Sequence, residues 1–245
     1  MTLSAVVVSA LLGAACGPRL RAVVFRCSTR DGVPRTCCPQ CAGPVPPGHP
    51  PAALAGLPVS GRCPGCRGRI GPRSGSVELG TAAVFAALAI RVDSVPLLVA
   101  LCWFGAWAVA LSVVDVAVHR LPDPLTTAAG CGLLVGIAVT AVVEHQPGAS
   151  GRALSGGLAL FAGYLALAVA SPASLGFGDC KLAAWLGTAL GWFGWSTVLA
   201  GTLAAFALAG GVGLVLVALG RAGRKDPIPF GPFMLLGALV AVLGS

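Results

Sequence analysis

From Val77 to the last residue this chain is a succession of apolar runs of about 14 to 24 residues, most of them long enough for a membrane-crossing helix, separated by short polar breaks. Nothing else in the sequence restricts the fold as much. In hydrocarbon every backbone N–H and C=O has to be paired internally, so each run is expected to be a helix. Composition agrees: 56% of the 245 residues are hydrophobic and 10% charged, with a mean hydropathy of +0.90, whereas a soluble domain carries about 25% charged residues. The sequence therefore predicts an all-α polytopic membrane bundle of about eight transmembrane helices with one small appendage.

The first apolar stretch, residues 3–17, is followed by Arg19 and Arg21 instead of being preceded by basic residues. That order points to a first transmembrane helix stopped by arginines, not to a cleaved signal. Seven further helices are expected at about residues 77–90, 96–114, 124–143, 153–170, 180–193, 196–219 and 230–243. The division near Gly191-Trp192-Phe193-Gly194-Trp195 is inferred because some forty residues exceed one span and tryptophan favours the interface. The chain thus divides into three units: residues 1–17 as the first helix, 18–76 as a cysteine-bearing loop domain, and 77–245 as the main membrane domain.

The formal charge of +8 does not imply nucleic acid. Nine of the sixteen basic residues lie between Arg19 and Arg73, beside the first span and without aromatic interleaving. Topology explains them better, because short cytoplasmic loops collect Lys and Arg. With that loop inside, Arg120, Lys181, Arg221, Arg224 and Lys225 also fall in the cytoplasm, against Arg91 and Arg152 outside. The orientation places the cytoplasmic ends of the third and sixth helices, and with them Asp115 and Asp179, at one depth.

Within residues 18–76, Cys38-Pro39-Gln40-Cys41 and Cys63-Pro64-Gly65-Cys66 are two CxxC knuckles separated by twenty-one residues. Such a pair is the ligand set of a tetrahedral four-cysteine zinc site, and a loop with little apolar material needs such a staple. Two disulfides, idle thiols or a redox role are the alternatives. A reducing cytoplasm disfavours the first, and the βαβ context of a redox CxxC is missing. Cys37 is an extra thiol beside a ligand position, while Cys102 and Cys131 read as small packing residues.

Asp115 and Asp179 are ionisable groups at the edges of apolar spans, a costly placement that points to function. If they meet, one can activate water while the other protonates a peptide bond. The plainer readings are that Asp115 caps its helix or pairs with Arg120, and that Asp179 pairs with Lys181. A rival of another class is a transporter using both acids as a proton or cation site. Asp123, in Leu-Pro-Asp-Pro, reads as a cap for the fourth helix. His119 reads as an interfacial polar residue, His49 as a loop residue outside any CxxH context, and His145 as solvated. Glu78 is either a helix N-terminal charge or a substrate contact.

Four features together resemble one family. Asp115 is followed by Arg120-Leu121-Pro122-Asp123-Pro124-Leu125-Thr126, and Gly176-Phe177-Gly178-Asp179 by Lys181-Leu182. The paired CxxC loop precedes Val77-Glu78-Leu79, and Pro229-Phe230-Gly231-Pro232-Phe233 precedes the last span. In this order they resemble the prepilin peptidases, or type IV leader peptidases, GxGD-type membrane aspartic proteases. The resemblance implies cleavage of the short basic leader of prepilins or pseudopilins at the cytoplasmic face of the bacterial inner membrane. It implies Asp115 and Asp179 as the catalytic dyad, and Cys38, Cys41, Cys63 and Cys66 as ligands of a structural zinc. It also implies possible methylation of the new N-terminus with S-adenosylmethionine, for which the sequence offers no glycine-rich nucleotide loop of its own.

Overall fold

Prolines and small residues open most of the helices. In the computed structural model, which describes residues 3–29, 31–45, 61–171, 175–221, 223 and 228–245, eight helices follow one another among the described residues. They are α1 (Leu3–Cys27), α2 (Ser76–Arg91), α3 (Val95–Val118), α4 (Asp123–Val143), α5 (Pro147–Ala170), α6 (Phe177–Phe193), α7 (Trp195–Ala218) and α8 (Gly231–Gly244). A proline sits in the first turn of α3, α4, α5 and α8, where its missing N–H costs nothing. Ser94 caps α3 by accepting the Leu97 N–H at 3.3 Å. The long apolar stretch near residue 194 divides as expected, with α6 ending at Phe193 and α7 starting at Trp195. Gly194 has φ +138°, a conformation that a side chain would strain.

Five helices, α1, α3, α4, α5 and α7, are long and apolar enough to cross a membrane, whereas α2, α6 and α8 are shorter, with 16, 17 and 14 residues. The short α6 is enclosed by its neighbours over ten of its residues, so protein, not lipid, sets its length. It packs most extensively on α5 through facing glycines. A Cβ on Gly156 would lie 2.7 Å from the Gly187 carbonyl oxygen, and one on Gly191 would lie 2.5 Å from that of Arg152. The most enclosed span is α3, with contacts to α1, α2, α4 and α8.

The first helix departs from expectation. It does not stop at Gly17 but continues through Pro18 to Cys27. An interior proline costs about 3 kcal/mol, yet the continuation buries Leu20 and Val24 against Val77, Ala110 and Val114. On another side, Ala22 and Phe25 pack against Cys38, Val45, Cys63 and Ile70 of the cysteine loop. At about 1.5–3 kcal/mol for each large buried side chain, the packing outweighs the proline. The added turns thus form the platform on which the loop sits. The fifth helix also begins earlier than its expected residue 153. His49, Arg224 and Lys225, expected from the sequence to be loop residues, lie outside the described residues.

Candidate active site

Asp115 is in the last turn of α3 and is 5% exposed; Asp179 is in the first turn of α6 and half-buried. Both line one cavity of about 320 Å³, together with His119, Arg120, Leu121, Asp123, Gly176, Phe177, Gly178 and Lys181. The two helices thus present their acids from opposite chain directions to a common space. Neither acid is mid-span, where an ion-coupled transporter needs it.

Each carboxylate is held by a backbone N–H. Asp179 Oδ2 accepts from Gly176 at 3.1 Å, and the Asp179 N–H donates to the Gly176 carbonyl at 3.0 Å, closing the first turn on itself. Asp115 Oδ2 accepts from the N–H of Gly231 at 3.0 Å, across 116 residues of sequence. Gly231 opens α8, whose dipole adds to the bond. Glycine leaves room there, because a Cβ would lie 2.9 Å from the same oxygen and the carboxylate would have to shift. Gly178 has a related role, since its Cβ would lie 3.1 Å from that of Leu121, which follows Arg120 after α3. Phe230 fixes the start of α8, with its ring 5.1 Å from Phe206 and 6.2 Å from Tyr164 between centroids.

The plainer alternative for Asp179, a pair with Lys181, is not what forms. Lys181 Nζ lies 2.6 Å from Asp123 Oδ1 and 4.9 Å from the centre of the Phe177 ring. Asp123 consequently does not cap α4, whose N-cap is Pro122 with no side-chain cap bond. It joins α4 to α6 at the cavity rim instead. His119 lines the cavity in a left-handed conformation, φ +53°, and closes α3 by donating its N–H to the Asp115 carbonyl at 2.8 Å. His145 is exposed, as expected, in the turn after α4.

The four CxxC cysteines converge. Their Sγ atoms all lie within 4.8 Å of one another, with Cys38–Cys66 and Cys41–Cys63 both at 3.8 Å. That spacing is far longer than a disulfide, and it matches the sulfur–sulfur separation of a tetrahedron with zinc–sulfur bonds of about 2.3 Å. The knuckles repeat one backbone pattern: Cys38 N–H bonds to Gly43 O and Cys63 N–H to Gly68 O, both at 2.8 Å. Ala42 and Arg67 take matching left-handed conformations, φ +56° and +57°. Backbone N–H groups of Gln40 and Cys41 draw the Cys38 thiol down to about 7, while Cys66, despite the Gly68 N–H, is pushed up to about 11 by desolvation and the three sulfurs around it, so the four thiols do not ionise alike without a cation among them. Cys37 stays outside the cluster, with its sulfur 3.7 Å from Thr36 Oγ1.

Two contacts were not foreseen in the sequence. One is the Gly231 N–H; the other is Arg21, expected to be a loop charge but wholly buried within α1, 3.4 Å from Glu78 Oε1 of α2. Glu78 is thereby a structural partner. An acid early in the next span, one helix after an arginine among apolar residues, was the available signal.

Comparison with known proteins accords with this geometry. The Type IV leader peptidase family profile matches residues 102–244. The chain belongs to the type IV leader peptidase family. The bacterial peptidase A24 N-terminal domain matches residues 11–92 of this leader peptidase family member, from within α1 through the cysteine loop and α2. The chain is similar to the prepilin leader peptidase/N-methyltransferase of Aeromonas hydrophila, 32% identical over 221 residues, covering 86% of this chain and 72% of the relative. It is 35% identical to the protein of that name from Burkholderia pseudomallei (strain K96243) over 217 residues, covering 84% and 65%. With that of Pseudomonas aeruginosa it shares 28% over 215 residues, covering 86% and 72%. No solved structure matches. The family and the apolar helices make this a multi-pass membrane protein, and the transporter reading finds no support.

Proposed function

We propose that this protein is a membrane aspartic endopeptidase that removes the leader from prepilins or pseudopilins, with Asp115 and Asp179 as its catalytic dyad. The observation that carries the reading is the shared cavity, to which α3 and α6 each bring one carboxylate. With one acid ionised and one protonated, the first draws a proton from a water and the second protonates the peptide being cleaved. The Gly231 N–H holds Asp115 in place for either role. Neither step needs a metal or a nucleophilic side chain.

The cysteine loop, within residues 18–76, holds a structural zinc through Cys38, Cys41, Cys63 and Cys66, and residues 77–245 form the peptidase unit. The basic loop faces the cytoplasm and places the dyad at the inner face of the bacterial plasma membrane, where a short basic leader is reached. The relatives' double name supports a second activity, methylation of the new N-terminus, with S-adenosylmethionine as donor. The test is mass spectrometry of a prepilin co-expressed with this protein in a host lacking its own peptidase. The expected product has lost its leader and carries one added methyl group; a prepilin that keeps its leader contradicts the proposal.

A further inference from the structure

A second cavity, of about 840 Å³, lies where the end of α1, the loop beyond it and the end of α3 meet. It is not the space that holds Asp115 and Asp179. We propose that it is the binding site for S-adenosylmethionine; this rests on the methyl-transfer half of the function proposed for the chain. When bound, the molecule supplies a methyl carbon carried on a sulfonium, and the residues of this cavity hold and orient it.

Four observations point here. The volume falls within the range of small-molecule sites, about 300–1,000 Å³. The lining is divided: Val113, Ala117 and Val118, with Val24 and Phe25 buried behind, give an apolar side fit for a purine ring, while Thr29, Asp31 and Arg35 give polar groups. Thr29 is 8% exposed, and its hydroxyl has no hydrogen-bond partner among the described residues. A buried hydroxyl left unpaired is costly, so a ligand group that bonds to it binds with that cost removed.

The position is the fourth. Thr29 also lines an adjoining cavity of about 300 Å³, which shares Arg120, Leu121 and Asp123 with the cavity of the two acids. The three spaces therefore succeed one another around the Val118 end of α3. A donor held in the largest is separated from the two acids by that one adjoining space.

The chemistry of the polar groups suits a zwitterionic nucleoside without phosphate. Arg35 is matched to the donor's carboxylate. Asp31 is matched to its ammonium or ribose hydroxyls, with the Val33 N–H at 3.2 Å holding the carboxylate. A phosphate-free ligand needs no glycine-rich anion loop, which accounts for the lack of one in the sequence.

The test is calorimetric titration of the full-length, zinc-loaded protein in detergent with S-adenosylmethionine and S-adenosylhomocysteine. One saturable site per chain is expected. Thr29→Val should weaken binding about fivefold and Arg35→Glu at least about tenfold, while Thr29→Ser stays near wild type. Ala117→Trp, at an exposed position on the cavity wall, should weaken binding at least about tenfold by intruding on the apolar side of the space. Zinc content and melting temperature show that each variant is folded. Binding left intact in these variants overturns the location while methyl transfer stands. No saturable binding by the wild type overturns the site and methyl transfer together, and leaves leader cleavage, read in a separate assay, as it was.

Discussion

A single backbone N–H governs the geometry of the buried acid. Asp115 sits at the end of a helix that would otherwise let its side chain turn, and Gly231, opening another helix, fixes Oδ2 at 3.0 Å. Gly231→Ala places a methyl 2.9 Å from that oxygen, so the carboxylate must rotate or α8 must withdraw. Leader cleavage by this variant should fall at least about a hundredfold, the cost of a misplaced catalytic group, while its melting temperature changes little. Wild-type cleavage would show that the bond does no positioning. Asp123 and Lys181 offer a contrast: their pair is at the rim, with side-chain exposures of 68% and 33%. Asp123→Asn should leave cleavage within about threefold of wild type, as solvent-exposed pairs contribute little; loss of activity in the same assay would place Asp123 in the chemistry. The motif aspartates were legible in the sequence because acids beside apolar spans stand out. Their partners were not, because a glycine supplies only its backbone and nothing in its letter tells which residue it will hold.

At the scale of the element, α1 is the instructive helix. Its first half reads as an apolar span and its second as a basic loop, and Pro18 with three nearby arginines reads as a stop. Tertiary packing overrules that local signal, because the second half has two faces to bury and one charge to satisfy. That charge is Arg21, enclosed beside Glu78 where α1 and α2 approach so closely that a Cβ on Gly17 would meet Glu78 Cγ at 2.5 Å. Removing one member of a buried pair strands the other and costs about 3–5 kcal/mol, whereas removing both with apolar replacements is close to neutral. Arg21→Met and Glu78→Gln should therefore each lower the melting temperature clearly, and Arg21→Met with Glu78→Met should recover most of the loss. Additive losses in thermal melts would mean that the pair is not coupled. The shorter α2, α6 and α8 were legible as helices and as short ones, at 16, 17 and 14 residues against the fourteen expected of each; what could not be read was that protein encloses α6, since apolar content alone does not distinguish a span set by lipid from one enclosed by protein.

At the scale of the whole molecule, two units are joined by α1: a bundle carrying the two acids, and a loop held by four sulfurs. The CxxC spacing announced the sulfur cluster before any coordinates, because knuckle geometry is local. Its seating on Ala22 and Phe25 could not be read, because it depends on a helix that continues past its apparent end. Purified protein should carry about one zinc per chain, and Cys63→Ser should lose it. Chelation should open the loop to proteolysis while the helical circular dichroism of the bundle persists; full metal content in Cys63→Ser would refute the assignment. The central claim concerns the bundle alone, that acids from α3 and α6 act together on one peptide bond. Its most direct test is the rate of leader removal from a purified prepilin by Asp115→Asn and by Asp179→Asn in detergent. Each should fall at least about a hundredfold below wild type, the loss expected when a general acid or base is removed, with zinc content and melting temperature unchanged. A wild-type rate from either variant would contradict it.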